Sequence, residues 1–169
     1  VGANIPMVIQ LGRWRRQVTI PSVAECTDTV VDRELTRLPR NKSEGDIPQI
    51  AVATGQVDVL ECVLRKIGVD DSEFTNPGGD GRIHLYRGAG SEGARIDGST
   101  PSETVLLDDP ARLDDYDMVL FPCQVGSYTG RANDILIGRE AMRMQVCELV
   151  VTRMGDVPAA HFAFVTIWR

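Results

Sequence analysis

Apolar positions fall in short runs separated by polar, turn-rich stretches, and the clearest pattern lies between Ile47 and Gly68. Ile50 to Ala53 is an unbroken apolar run bounded by Pro48 and by Thr54-Gly55, as expected of a strand covered on both faces in a parallel sheet. Beyond it, Val59, Leu60, Val63, Leu64 and Ile67 recur at helical spacing and predict one buried stripe, with Asp58 as N-cap. Arg65 and Lys66 suit the negative end of the helix dipole, and Gly68 supplies the left-handed residue that ends it. The stretch is a βα unit.

The remaining elements are read the same way. Met7 to Leu11 and Gln17 to Ile20, joined by Gly12-Arg13-Trp14-Arg15-Arg16, predict a β-hairpin. Two strands are marginal alone, so the hairpin is expected to complete a sheet with strands upstream of Val1. Cys26 to Asp46 is polar and broken, a linker or long surface connection. Arg82 to Tyr86 alternates as a second strand, with Ile83 and Leu85 on one face and His84 and Tyr86 on the other. Leu106 to Leu113 predicts a short helical turn, and Met118 to Phe121 a third, buried strand. A long helix is expected from Asn133 to about Met154, burying Ile135, Met142, Val146, Leu149 and Val150, followed by a fourth strand over Val157 to Phe162. Strands alternating with helices predict an α/β fold, a flavodoxin-like parallel sheet with helices on both faces.

Composition narrows the functional classes. The 169 residues carry a formal charge of −6, from 18 Lys+Arg against 24 Asp+Glu, which argues against a nucleic-acid groove. No apolar run approaches the roughly 18–20 residues that cross a bilayer. The chain starts at Val1 and stops at Trp168-Arg169 directly behind an apolar stretch, so both ends are expected to be cut from something longer. Cys26, Cys62, Cys123 and Cys147 have neither CxxC spacing nor a His pair, so no structural zinc is expected; one disulfide and free thiols stay equally open. The acidic turns DDSE and NPGGDG lack EF-hand spacing, and the loop GAGSEG lacks the Lys-Ser/Thr of a P-loop. No metal or cofactor is implied.

Ligands of open α/β sheets lie beyond the C-terminal ends of the strands, which singles out Thr54-Gly55-Gln56, Tyr86-Arg87-Gly88, Cys123-Gln124 and His161. Cys123 and His161 are the catalytic candidates, because a nearby imidazole lowers a thiol pKa and holds the thiolate. The competing reading is a packed thiol and a backbone-bonded histidine. Gly55, Gln56 and Gln124 are the ligand-binding candidates. His84, inside its strand, reads as structural.

The order IAVATG-helix, RIHLY, YDMVLFPC, long helix, then a strand ending in His resembles the class I glutamine amidotransferase-like superfamily, nearest its ThuA-like, trehalose-utilisation branch. Tyr116 to Phe121 and Val157 to His161 occupy the places of that branch's "YDvvv" strand and His-ending strand. GRWRRQVTIP, LTRLPRNKSEGDIP, DVLECVLRKIGVDDSEFT and YDMVLFPC are similar to segments of large exported or lipid-anchored bacterial surface proteins. In these, a carboxypeptidase-regulatory-like β-sandwich precedes the amidotransferase-like domain.

The resemblance implies that residues 1–24 end such a sandwich, 25–46 link, and 47–169 form the amidotransferase-like domain, truncated at its C-terminus. It implies an extracellular or cell-envelope location, with other domains of the parent chain as partners and a carbohydrate or other small ligand at the strand ends. The chain departs from the family at Ala160-His161-Phe162, where glutaminases place a cysteine elbow, and at Asp156 and Pro158 before the last strand. The resemblance therefore implies a non-catalytic or vestigial domain with a binding or structural role; the alternative is a hydrolase or sugar-modifying enzyme using a Cys123/His161 cleft.

Overall fold

The computed structural model describes residues 2–55, 59–88 and 93–121, together with the backbone of two strands, Arg143–Leu149 and Phe162–Trp168. A hairpin of β1 (Gly2–Leu11) and β2 (Trp14–Val23) comes first, followed by the short helix α1 (Arg33–Thr36). The α/β unit contains β3 (Ile50–Thr54), α2 (Leu60–Lys66), β4 (Phe74–Thr75), β5 (Ile83–Arg87), α3 (Glu103–Leu107), α4 (Pro110–Asp114) and β6 (Met118–Phe121). The terminal strands are β7 (Arg143–Leu149) and β8 (Phe162–Trp168).

Strands β4, β5, β3 and β6 lie side by side in that order, all parallel. The first long strand is central, with its successors on either side, as in a flavodoxin-like α/β fold. Two buried clusters show why. Ile50, Val52, Ile83 and Leu85 point to one face and meet Leu64 of α2, while Ala51, Ala53, Tyr86, Val119 and Phe121 point to the other and meet Leu106, Leu107 and Leu113 of α3 and α4. The alternation expected of Ile83, Leu85 and Tyr86 is thus observed, and helices cover both faces.

The stripe on α2 divides. Leu64 is buried and Leu60 packs on the core, but Val59, Val63 and Ile67 are exposed. Helix α2 has 7 residues, too few turns to hold all five apolar side chains against one sheet face. Its N-cap is Val59; Asp58 lies outside the described residues. Its end is as expected: Gly68 has φ +106°, and Val69 N–H donates to the Leu64 carbonyl at 3.1 Å in a Schellman closure.

The expectation of a helix from Asn133 to Met154 fails in its described part, because Arg143–Leu149 is a strand. It pairs antiparallel with β8, which pairs antiparallel with β6. Phe162–Trp168 is rich in aromatic and β-branched residues, and pairing with such a strand overrides the weak helical spacing of Val146 and Leu149. The expected strand over Val157 to Phe162 shares only Phe162 with β8; its other residues lie outside the described residues.

The hairpin is bolted to the α/β unit. Trp14 is buried with Ile47, Ile50 and Leu64, and its indole Nε1 donates to the Pro39 carbonyl at 3.0 Å. Arg15 and Asp46 exchange two backbone hydrogen bonds, of 2.9 and 2.7 Å, and Arg13 is ion-paired with Asp117. Gly45 permits this approach: a Cβ there would sit 2.3 Å from the Arg15 carbonyl oxygen. Residues 37–46 are stitched to the core as well. Glu44 accepts from the Arg37 guanidinium at 2.6 Å, and buried Glu73 accepts from the backbone N–H groups of Lys42 and Arg82 at 2.8 and 3.0 Å.

Candidate functional site

Of the residues selected at the strand ends, Thr54, Gly55, Tyr86, Arg87 and Gly88 are described; Gly55 is buried immediately after β3. Gln56, Cys123, Gln124 and His161 lie outside the described residues. Of the four thiols, Cys26 and Cys62 are free.

Around Gly55 the ends of β3 and β5 are covered by residues 93–102. The Thr54 hydroxyl donates to the Ala94 carbonyl at 2.8 Å, Gly88 N–H donates to the Thr54 carbonyl at 3.0 Å, and Arg87 donates from backbone N and from Nε to the carbonyls of Pro101 and Thr100, both at 2.7 Å. A Cβ on Gly93 would lie 2.2 Å from Thr54 Oγ1, so the covering loop sits directly on the strand. Thr100 fastens this loop by donating to Asn76 Oδ1 at 2.6 Å.

A recess opens at the opposite edge of the sheet, where β3, β5 and β6 begin, on the α4 side. It has a volume of about 450 Å³ and is lined by Gln49, Pro77, Gly78, His84, Tyr86, Arg112, Asp115 and Tyr116. Gln49 immediately precedes β3, His84 and Tyr86 lie on one face of β5, Tyr116 precedes β6, and Arg112 and Asp115 come from α4 and its C-cap.

The polar groups form one chain. Gln49 Nε2 lies 3.2 Å from His84 Nε2, His84 Nδ1 lies 2.9 Å from the Tyr116 hydroxyl, and the Tyr116 and Tyr86 hydroxyls are 2.9 Å apart. Arg82 Nη1 donates to Gln49 Oε1 at 3.3 Å, which turns the Gln49 amide N–H toward His84 Nε2. His84, Tyr116 and Tyr86 thus hold one another in a continuous run of hydrogen bonds. Arg112 lies beside them on the recess wall, and the Tyr86 ring is buried at the end of the chain.

Burial holds His84 below its ordinary pKa and keeps it neutral. Burial pushes both phenols up; the hydrogen bond between them raises Tyr116 further and, with Arg112, partly relieves Tyr86. Asp115 opposes ionisation of both phenols. The recess thus offers neutral, pre-aligned hydrogen-bonding groups between one cation, Arg112, and one anion, Asp115. Rings Tyr86 and Tyr116 meet edge to face at 6.3 Å, and His84 and Tyr116 at 5.5 Å, so the geometry is also held by packing.

His84, read from the sequence as structural, is buried and bonded to Gln49 and Tyr116 on the recess wall. The sequence signal was the alternation that put His84 and Tyr86 on one face; Gln49, Arg112, Asp115 and Tyr116 join them only through parallel pairing of β3 with both neighbours. Among the described residues no group of three or more His, Cys, Asp or Glu could hold a metal ion, and no helix is long and apolar enough to cross a membrane. The chain matches no family model, no curated protein and no solved structure.

Proposed function

We propose that this chain is a non-catalytic, amidotransferase-like α/β domain with a binding role, carried by a bacterial cell-envelope protein. The observation that carries the binding role is the Gln49–His84–Tyr116–Tyr86 hydrogen-bond chain on the wall of a recess of about 450 Å³. Every buried polar group in it is neutral and held by its neighbours, which is the organisation of a recognition surface. Both ring nitrogens of His84 are engaged, so it is not poised to shuttle protons. The flavodoxin-like order of β3, β5 and β6 and the segments GRWRRQVTIP and YDMVLFPC support the family reading, and the envelope assignment rests on those segments.

The test is to incubate the chain with glutamine and chromogenic glycosides, alone and as Cys123→Ala and His161→Ala, while mapping ligand-induced NMR shifts. The expected result is no Cys123- or His161-dependent turnover and shifts clustered at His84, Tyr86 and Tyr116. A covalent adduct at Cys123 with a thiol-directed substrate analogue, together with His161-dependent turnover, refutes it.

A further inference from the structure

The hairpin turn and the α/β unit do not close completely on one another. Between them lies a second concavity, of about 270 Å³, on the sheet face opposite the His84 recess. It is lined by Leu11 and Trp14 of the hairpin and by Pro48, Ile50, Leu64 and Met118 of the α/β unit. Trp14, Ile50 and Leu64 are buried, whereas Leu11 is 67% exposed and marks the mouth. The polar groups beside these residues are already partnered. Arg13 and Asp117 are ion-paired with each other, Asp117 Oδ2 also accepts from the Gln49 N–H at 2.9 Å, and the Gly12 carbonyl accepts from Gln10 Nε2 at 2.8 Å. The Trp14 indole N–H is spent on the Pro39 carbonyl, so its ring meets the cavity as an apolar body.

We infer that this seam binds a small, neutral, apolar molecule of one or two rings. Water in such a cavity finds few groups to bond, so an apolar occupant gains by displacing it. An apolar cavity of about 150 Å³ is enough to take up benzene, so the larger space here leaves room for a second ring. A charged ligand would have to break the Arg13–Asp117 pair or leave its own charge unmatched, and the hydroxyls of a sugar would meet no free partner. The Trp14 ring offers an aromatic surface, and the unbranched Met118 thioether adapts to a ring edge. Ile50 and Leu64 lie below the surface, out of reach of a flat partner, which selects a small molecule over a protein. Because the lining comes from the hairpin and the α/β unit together, the occupant bridges them and adds its binding free energy to their docking. The seam shares no residue with the His84 recess and stands or falls independently of the role proposed there.

Benzene, toluene and naphthalene are titrated into the full chain and followed by NMR, with acetate, ethylamine and glucose as controls. At least one ring compound is expected to bind ten-fold or more tightly than every control, with shifts centred on the Trp14 indole N–H and the amides of Leu64 and Met118. At saturation, amide exchange at Arg15 and Asp46, whose paired bonds hold the hairpin down, is expected to slow several-fold. Met118→Phe, which fills the space from one wall, and Leu11→Asp, which puts a charge at the mouth, are each expected to weaken binding ten-fold or more. Leu11 is exposed, so its variant keeps a thermal midpoint within a few degrees of wild type. Val30→Asp, at a side chain 95% exposed, should leave binding unchanged. The inference is overturned if no ring compound binds, if a control binds as tightly, if the shifts centre elsewhere, or if Leu11→Asp and Met118→Phe both keep full affinity. Binding that leaves exchange at Arg15 and Asp46 unaltered overturns the bridging of hairpin and sheet.

Discussion

Replacing Tyr116 by phenylalanine removes one oxygen from the middle of a four-residue chain. That oxygen is hydrogen-bonded to both His84 Nδ1 and Tyr86 Oη, each at 2.9 Å. A net intramolecular hydrogen bond contributes about 1 kcal/mol, and a buried donor left unpaired costs about 1–3 kcal/mol. Tyr116→Phe breaks two bonds and leaves the buried His84 ring nitrogen without that partner, so the expected loss is about 2–3 kcal/mol. Tyr86→Phe breaks the inter-tyrosine bond alone and leaves Tyr116 bonded to His84; about 1 kcal/mol is expected. Both variants keep the edge-to-face ring contacts, so packing is nearly constant. Because the two single variants share one bond, the double variant should cost about 1 kcal/mol less than their sum. Urea unfolding at pH 7.5 with unchanged m-values measures all three. A Tyr116→Phe loss no greater than that of Tyr86→Phe, or strict additivity, would refute the placement of Tyr116 in the middle of the chain.

The same structure sets how stability depends on pH and on the docking of the hairpin. His84 has a folded-state pKa below its unfolded value of about 6.5, so the folded state disfavours its proton; the stability this gives is present above pH 6.5 and lost as pH falls below it. Between pH 7.5 and 5, unfolding free energy should therefore decline, by at most about 1.4 kcal/mol per pH unit, and His84→Gln should flatten that decline. Glu44, held down to about 2 by Arg37, loses its contribution only below about pH 4.5, a separable second phase. Gly45→Ala places a Cβ 2.3 Å from the Arg15 carbonyl oxygen and should break the Arg15–Asp46 pairing. We expect a loss of about 2 kcal/mol or more by urea unfolding, with faster amide exchange at Arg15 and Asp46, and full wild-type protection there would contradict the docking described.

Much of the sheet was legible because its strands obey local rules. Met118–Phe121 has the expected bounds, and Ile50–Thr54 extends one residue past the expected run. Both are short, apolar and flanked by turn formers, so nothing competes with the strand reading. The stripe on α2 misled because five apolar residues at helical spacing say nothing about how many turns the helix has room to bury. Strand β7 was missed for a different reason: its conformation is dictated by β8, downstream in sequence, and local spacing does not carry a partner's identity. The recess was least legible. Its lining comes from positions 49 to 116, and what unites those residues is the strand register, which places the N-terminal edges of β3, β5 and β6 together. The strand-end rule pointed to the opposite edge, where residues 93–102 lie over Thr54.

The attachment of the hairpin also has a mechanical meaning. Its strands of 10 residues each extend roughly 33 Å, and the contacts described, at Arg13, Trp14 and Arg15, cluster at the turn end. The ribbon is therefore a lever whose fulcrum lies in the apolar cluster that also holds Ile50 and Leu64. A force applied near Gly2 or Val23 exerts a torque on that fulcrum and is resisted by the Trp14 ring and the paired bonds to Asp46. Whatever steers the outer end of the ribbon steers the α/β unit with it, and the recess at the start of β3 turns as part of the same body.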